Sequence, residues 1–233
     1  VCTHVSNVYG NVLPVSAVAA LCRERGVPLV IDASQSAGTL PVRLHGTGAA
    51  FIAMPGHKGL YGPQGTGLLL CGAAGEPLLQ GGTGSNSLDQ SMPDFLPDRH
   101  EAGTHNVCGI GGLLAGLRFV RERRPEELLA VERALTALAA RGLRQLPGVE
   151  VFTGPGQSGV LSFRCRDLDC EEAAARLAEA GIAVRAGLHC APMAHRSGGT
   201  LETGTVRVSF SAFNTSAEVR QFLQVCRTAF LPG

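Results

Sequence analysis

Of the twenty basic residues in the 233-residue chain, nineteen are arginine and the only lysine is Lys58. It stands in MPGHKGLYGPQGTG, directly after a short apolar run and a Pro-Gly turn, with His57 before it and a glycine-rich stretch behind. A lysine desolvated at a strand end has its pKa lowered, which frees the amine as a nucleophile toward a carbonyl and so for Schiff-base chemistry. Pyridoxal phosphate needs such a lysine together with a carboxylate that keeps its ring nitrogen protonated. Asp32, at the end of the run VPLVID, is placed for that role, since a buried aspartate there would otherwise be an unpaired charge of high cost. On spacing alone a plainer reading stays open, with Lys58 a solvated surface lysine and Asp32 a helix N-cap.

Two further segments carry chemistry. In VRAGLHCAP, Cys190 follows a predicted strand, next to His189 and five residues after Arg185, so nearby positive charge raises its thiolate fraction. An exposed thiolate is a nucleophile, whereas a cysteine taken at random from the eight is a small buried hydrophobe. Arg207 lies within the otherwise apolar strand TVRVSFS. Such a charge needs a partner, and a planar guanidinium suits two-point capture of a carboxylate, with a structural salt bridge as the alternative. The cysteines form no C-x-x-C pair and sit mostly in apolar runs, so neither a metal site nor a disulfide framework is expected, and most should be buried.

The elements that must position these residues can be read from periodicity. VCTHVSN reads as a strand, then Pro14 opens a helix that ends at Gly26, and VPLVID, AAFIAM (49–54) and GLLLC (67–71) read as further strands. Strand, helix, strand in this order implies an α/β fold with a mostly parallel sheet, whose ligands bind beyond the carboxyl ends of the strands. Asn7, Asp32 and the turn at 55–58 all fall there. Gly72 to about Asn106 is a long Gly/Ser/Pro/Asp-rich loop, a length that in compact proteins usually marks function. Helices are predicted over 109–123 and 126–145. In the second, Leu128, Val131, Leu135 and Leu138 form the buried stripe while Glu126, Glu127, Glu132 and Arg133 face out. After Pro147 come the strands VEVF and GVLSFRC, a helix over 169–179, the strands IAVRAG and TVRVSFS, and a helix over 216–228. This predicts a large domain over 1–124 and a small α+β domain over 125–233.

Composition bounds the rest. Hydrophobic residues make up 45% and charged residues 17%, enough apolar surface for a core. With net charge +1 and no basic run, nothing marks a nucleic-acid or membrane partner. No apolar stretch reaches the roughly 18–20 residues of a membrane span, and a cytoplasmic location is expected. Val1 opens on a strand already in progress, so a fragment lacking an N-terminal part is also expected.

The runs HVSNVYGNVLPV, IDASQSAG, GHKGLYGPQGTG, RHEAGTHN, VRAGLHCAP and TGTVRVSFSAFNT together resemble, in order and spacing, the class V aminotransferase family of fold-type I pyridoxal 5'-phosphate enzymes. Within it the likeness is to the cysteine desulfurase and selenocysteine lyase branch. The resemblance implies a homodimer in which Lys58 joins the cofactor as a Schiff base, Asp32 pairs with its ring nitrogen, Gln35 and Asn7 hydrogen-bond its phenolic oxygen, and His57 holds its phosphate. It further implies that Arg207, with Arg185, binds the substrate carboxylate. Cys190 would take sulfur from L-cysteine or L-selenocysteine as a persulfide and pass it to an acceptor protein. In the loop GGTGSNS, Thr83 or Ser85 would reach the partner subunit's cofactor. Two departures weigh against tight cofactor binding. Pro55 stands where the family usually has a hydroxyl residue, and the portion that supplies the main phosphate loop and a histidine stacked on the ring lies outside the chain. The other readings are a class V transaminase, epimerase or lyase with Cys190 a bystander, and a non-catalytic fragment unable to hold the cofactor.

Overall fold

The computed structural model describes residues 1–82, 84, 85 and 88–230. Thr83, one of the two candidate phosphate hydroxyls, lies outside the described residues. The chain opens with β1 (Cys2–Thr3), α1 (Val15–Glu24), β2 (Val30–Asp32), a single-turn α2 (Leu44–Thr47), β3 (Phe51–Pro55) and β4 (Gly67–Cys71). These strands form one sheet in the order β1-β2-β3-β4. β1 with β2 and β2 with β3 run parallel, and β4 closes the edge antiparallel because it returns directly after the loop that follows β3. Leu29, Ile31 and Ile52 are buried, and with Ala19 of α1 and Leu113 further along they make the first core.

Between β4 and residue 106 the described backbone forms only a 3₁₀ turn, Asp98–His100, so the long loop is a loop. Then α3 (Val107–Arg123) and α4 (Pro125–Leu143) follow. Asn106 caps α3 by accepting from Gly109 N–H at 2.9 Å, and Pro125 starts α4, where its missing N–H costs nothing. The rest of the chain is β5 (Val149–Phe152), β6 (Val160–Cys165), α5 (Cys170–Glu179), α6 (Pro192–Ser197), β7 (Val206–Ser209) and α7 (Ser216–Ala229). β5, β6 and β7 form an antiparallel sheet covered by α4, α5 and α7. Phe163, Leu161, Leu143, Leu177 and Val206 are its buried centre. Among the described residues no helix is long and apolar enough to cross a membrane.

The structure departs from the sequence reading at several points. IAVRAG is not a regular strand: it pairs with the β7 segment through the isolated bridge between Arg185 and Arg207 and through Gly187, which at φ +94° exchanges backbone hydrogen bonds with Thr205 just before β7. In α4 the buried stripe is rotated, so that Val131 is exposed while Glu132 is 8% exposed. Of the eight cysteines only Cys170 and Cys226 are buried; Cys108 and Cys190 are exposed and the others are intermediate.

Candidate active site

The carboxyl ends of β1, β2 and β3 lie side by side, and the turns that leave them are tied together. His4, just beyond β1, donates its N–H to the Asp32 carbonyl at 2.9 Å, and its Nδ1 lies 2.9 Å from Ser36 Oγ. Beyond β2 the chain folds into a compact turn in which Ala37 N–H reaches the Ala33 carbonyl at 2.9 Å. Asp32 Oδ1 accepts from Ser34 N–H at 2.9 Å and so fastens that turn, with no helix following for it to cap. Beyond β3, Tyr61 N–H bonds the Lys58 carbonyl at 2.9 Å, shaping the Lys58 turn. The two turns touch backbone to backbone. A Cβ at Gly38 (φ +92°) would fall 1.9 Å from the Gly59 carbonyl oxygen, and one at Gly59 would fall 2.4 Å from that of Ala37. Only glycine permits this approach.

Lys58 and Gln35 thereby line one cleft of about 160 Å³, whose far wall is Glu132, Ser158 and Ser211 from the second half of the chain. The desolvation expected around Lys58 is absent among the described residues: Lys58 and His57 are both exposed. The physical reason is position. The turn sits at the rim of the sheet, and burial of the amine has to come from whatever occupies the space in front of it. The Lys58 amine has no hydrogen bond or ion pair among the described residues.

A second group gathers around Cys190. His189 (φ +50°) and Cys190 (φ +59°) are consecutive non-glycine residues in the left-handed region, which presents the thiol to solvent while His189 points inward, 2% exposed. Arg185 Nη2 donates to Cys190 Sγ at 3.3 Å, the cationic contact expected of it. Asn7 joins this group to the first sheet. Its Nδ2 donates to the His189 carbonyl at 2.7 Å, while its own carbonyl accepts from Arg207 Nη1 at 2.9 Å. Arg207 is half-buried, has no acidic partner among the described residues, and its Nε is buried without any hydrogen bond. Burial and the Arg185 charge push its pKa down. His189 falls to about 4 through burial and then the Arg207, His195 and Arg185 charges, so it is neutral at ordinary pH.

Four residues of this region were not singled out from sequence as site residues. Tyr9, His195 and Thr200 form a hydrogen-bonded chain packed against His189, with His195 and Thr200 fully buried and Tyr9 half-buried, and Glu132 walls the Lys58 cleft with its pKa raised by burial to about 7. For Glu132 a signal existed, because it falls between Leu128 and Leu135 on one helical face. For Tyr9 the nearest signal was its place two residues after Asn7.

The donors present fit the ring end of pyridoxal phosphate: an amine at Lys58 and a carboxamide at Gln35 lining one cleft, with the Asp32 carboxylate at the end of the neighbouring strand β2. For the phosphate, the turn offers the His57 imidazole, while Pro55 has neither hydroxyl nor N–H. Comparisons with known proteins bear on the chain's sequence and fold as a whole. The chain is 35% identical over 229 residues to a probable cysteine desulfurase from Xylella fastidiosa (strain Temecula1 / ATCC 700964), covering 95% of this chain and 54% of that protein. Its fold superposes on the apo cysteine desulfurase of Thermococcus onnurineus NA1 with a TM-score of 0.89 at 34% identity, and on an Escherichia coli cysteine desulfurase in its S-sulfonic acid form with 0.89 at 30%. Each superposition covers 98% of this chain and 58% of the other. The chain thus spans about half the length of the relatives it resembles. The family model for class-V aminotransferases matches residues 1–222, nearly the whole chain, and the chain belongs to the class-V aminotransferase family.

Proposed function

We propose that the protein containing this chain is a cysteine desulfurase, converting L-cysteine to L-alanine and collecting the sulfur on Cys190. The observation that carries this reading is the Cys190 turn, an exposed thiol 3.3 Å from a guanidinium and backed by a second, half-buried guanidinium that has no acidic counter-ion among the described residues. A transaminase needs an arginine for the substrate carboxylate but has no use for a nucleophile beside it. The relatives named as cysteine desulfurases support the same reading.

Pyridoxal 5'-phosphate, with which this family works, supplies an electron sink conjugated to the substrate α-carbon. Lys58 would hold it by the aldehyde, Asp32 by the ring nitrogen, Gln35 and Asn7 by the phenolic oxygen, and His57 by the phosphate. Arg207 and Arg185 bind the substrate α-carboxylate, which replaces the acidic partner Arg207 otherwise lacks. Lys58 would be the base that takes the substrate α-hydrogen as a proton. Cys190 thiolate attacks the substrate sulfur. The S–S bond of a persulfide forms as the C–S bond breaks, its electron pair passes to carbon, and proton delivery completes alanine. A thiol on an acceptor protein then removes the outer sulfur. L-Selenocysteine is the parallel substrate, the assembly is a homodimer, and the boundary between the two domains falls at Pro125.

The test is product analysis with L-cysteine, pyridoxal phosphate and a reducing thiol. Alanine and sulfide should form in equal amounts, and Cys190→Ala should lose both by on the order of a hundredfold or more. A Cys190→Ala protein that still released sulfide at the parent rate would exclude the role, and keto-acid product in place of alanine would assign the protein to a transaminating relative.

A further inference from the structure

We propose that His195, tied to Tyr9 through Thr200, is a positioning residue for Cys190: this hydrogen-bonded chain holds the left-handed His189–Cys190 turn and with it the thiol against Arg185. The turn needs holding. Two successive residues with a Cβ occupy a region where Cβ crowds the following carbonyl, and such a conformation persists only when its surroundings over-determine it. The Cys190 side chain adds little to that, since it is exposed and its hydrogen bond among the described residues is the contact with Arg185. The turn is closed by Ala191 N–H on the Leu188 carbonyl at 2.9 Å, and the remaining constraint comes through His189. Its carbonyl is held by Asn7, its Nε2 lies 3.0 Å from Thr205 Oγ1, and its ring packs on His195 with centroids 5.5 Å apart.

His195 is fully buried on α6, the helix that begins two residues after Cys190. Its Nδ1 lies 2.7 Å from Thr200 Oγ1, which in turn lies 2.6 Å from Tyr9 Oη, and Thr200 is also fully buried. The Tyr9 ring closes over His195 at 6.0 Å, and a Cβ on Gly198 would strike the Tyr9 hydroxyl, so the enclosure leaves no room for the chain to re-route. Apolar side chains of the same size would fill this space but leave the ring free to rotate. A hydrogen-bonded chain fixes its angle, and the His189 ring packed on it inherits that angle. Because Tyr9 follows Asn7 in the loop after β1, the same segment fixes both the carbonyl and the ring of His189.

The inference rests on reading Cys190 as the reacting thiol, and its test needs no substrate. Iodoacetamide alkylation, read residue by residue by peptide mass spectrometry, compares Cys190 with Cys108, which is exposed on α3 and serves as internal reference. Thr200→Val keeps the shape and removes both hydrogen bonds. The Cys190/Cys108 rate ratio should fall by about threefold or more as the thiol leaves the guanidinium, and Thr200→Ser should restore it. Tyr9→Phe removes only the far hydroxyl and should lower the ratio in the same direction, which keeps the test open if Thr200→Val does not fold. On L-cysteine, kcat should fall with KM unchanged. An unchanged ratio in a variant whose melting temperature has dropped would overturn the inference, leaving the chain a purely structural one. A parent protein that forms no alanine would instead sink the proposed activity, and the alkylation ratio would still decide this question.

Discussion

Glu132 and His189 are buried ionisable side chains that bear on the site, and they load its pH dependence in opposite senses. Burial raises Glu132 from 4.5 to about 7. Between those values the folded protein keeps a proton that the unfolded chain releases, so stability falls as pH rises across that window and stays lower above it. His189, lowered from 6.5 to about 4, does the reverse: its contribution is present above about 6.5 and is lost as pH falls toward 4. Glu132→Gln keeps size and hydrogen-bonding capacity while removing the charge. It should match the parent near pH 5 and exceed it at pH 8, by about 3 kcal/mol at most given the size of the shift. Thermal melts of both proteins at the two pH values check this, and an equal difference at pH 5 and pH 8 would mean that the carboxyl stays ionised throughout.

At the scale of elements, the close approach of the turn after β2 to the turn after β3 places Gln35 and Lys58 in one cleft. Gly26 and Gly38 both sit at positive φ, but a Cβ on Gly26 would meet nothing within 4 Å whereas one on Gly38 would collide with the Gly59 carbonyl. Gly26→Ala should therefore cost only the backbone term, roughly 1 kcal/mol, while Gly38→Ala should add an overpacking cost of about 1–3 kcal/mol and also loosen cofactor at the Lys58 rim. Urea titration gives the two stabilities, and equal losses would show that the turns do not press on one another. These turns were legible beforehand, because each follows a short apolar run and ends in residues that local rules place beyond a strand. The Cys190 turn was legible as a motif but not as a conformation, since nothing local in GLHCAP demands positive φ at two residues that both carry a Cβ. The Tyr9–Thr200–His195 chain was not legible at all: Tyr9 and Thr200 are separated by 191 positions, and single-sequence periodicity carries no information at that range. Glu132 was misread for a different reason. A charged side chain reads as solvent-facing, although its spacing from Leu128 and Leu135 places Glu132 on the buried face.

Over the whole molecule, the two sheets have separate cores, and the seam between them runs through the loop after β1. Val5 and Val8 are fully buried there, and beyond His4 the loop's backbone is held by β6 and the connection from β5 to β6: Ser162 Oγ donates to the Val8 carbonyl at 2.6 Å, Gln157 Nε2 to that of Tyr9 at 2.8 Å, and Ser158 N–H to that of Gly10 at 2.8 Å. The proposed site straddles this seam, with Asp32 and Lys58 on one side and Cys190 and Arg207 on the other, so loosening the seam should separate the halves before either unfolds. Gln157 is the residue to change. Its amide ties the loop to the second half of the chain, accepting from Gly154 N–H at 2.9 Å and donating to the Val160 carbonyl at the start of β6 at 2.5 Å while also donating across the seam to Tyr9. In Gln157→Ala, amide hydrogen exchange should quicken by about tenfold across residues 5–13, the loss expected where a buried hydrogen bond contributes roughly 1.4 kcal/mol. Protection of β6 and α7 should stay at the parent level, because their core around Phe163 and Phe222 does not include the loop. The rate of alanine formation should drop with it, since Asn7 moves with the loop and carries the His189 carbonyl and Arg207 along. Uniform loss of protection over both sheets would show instead that the two cores unfold as one unit and that the seam has no separate stability for the site to depend on.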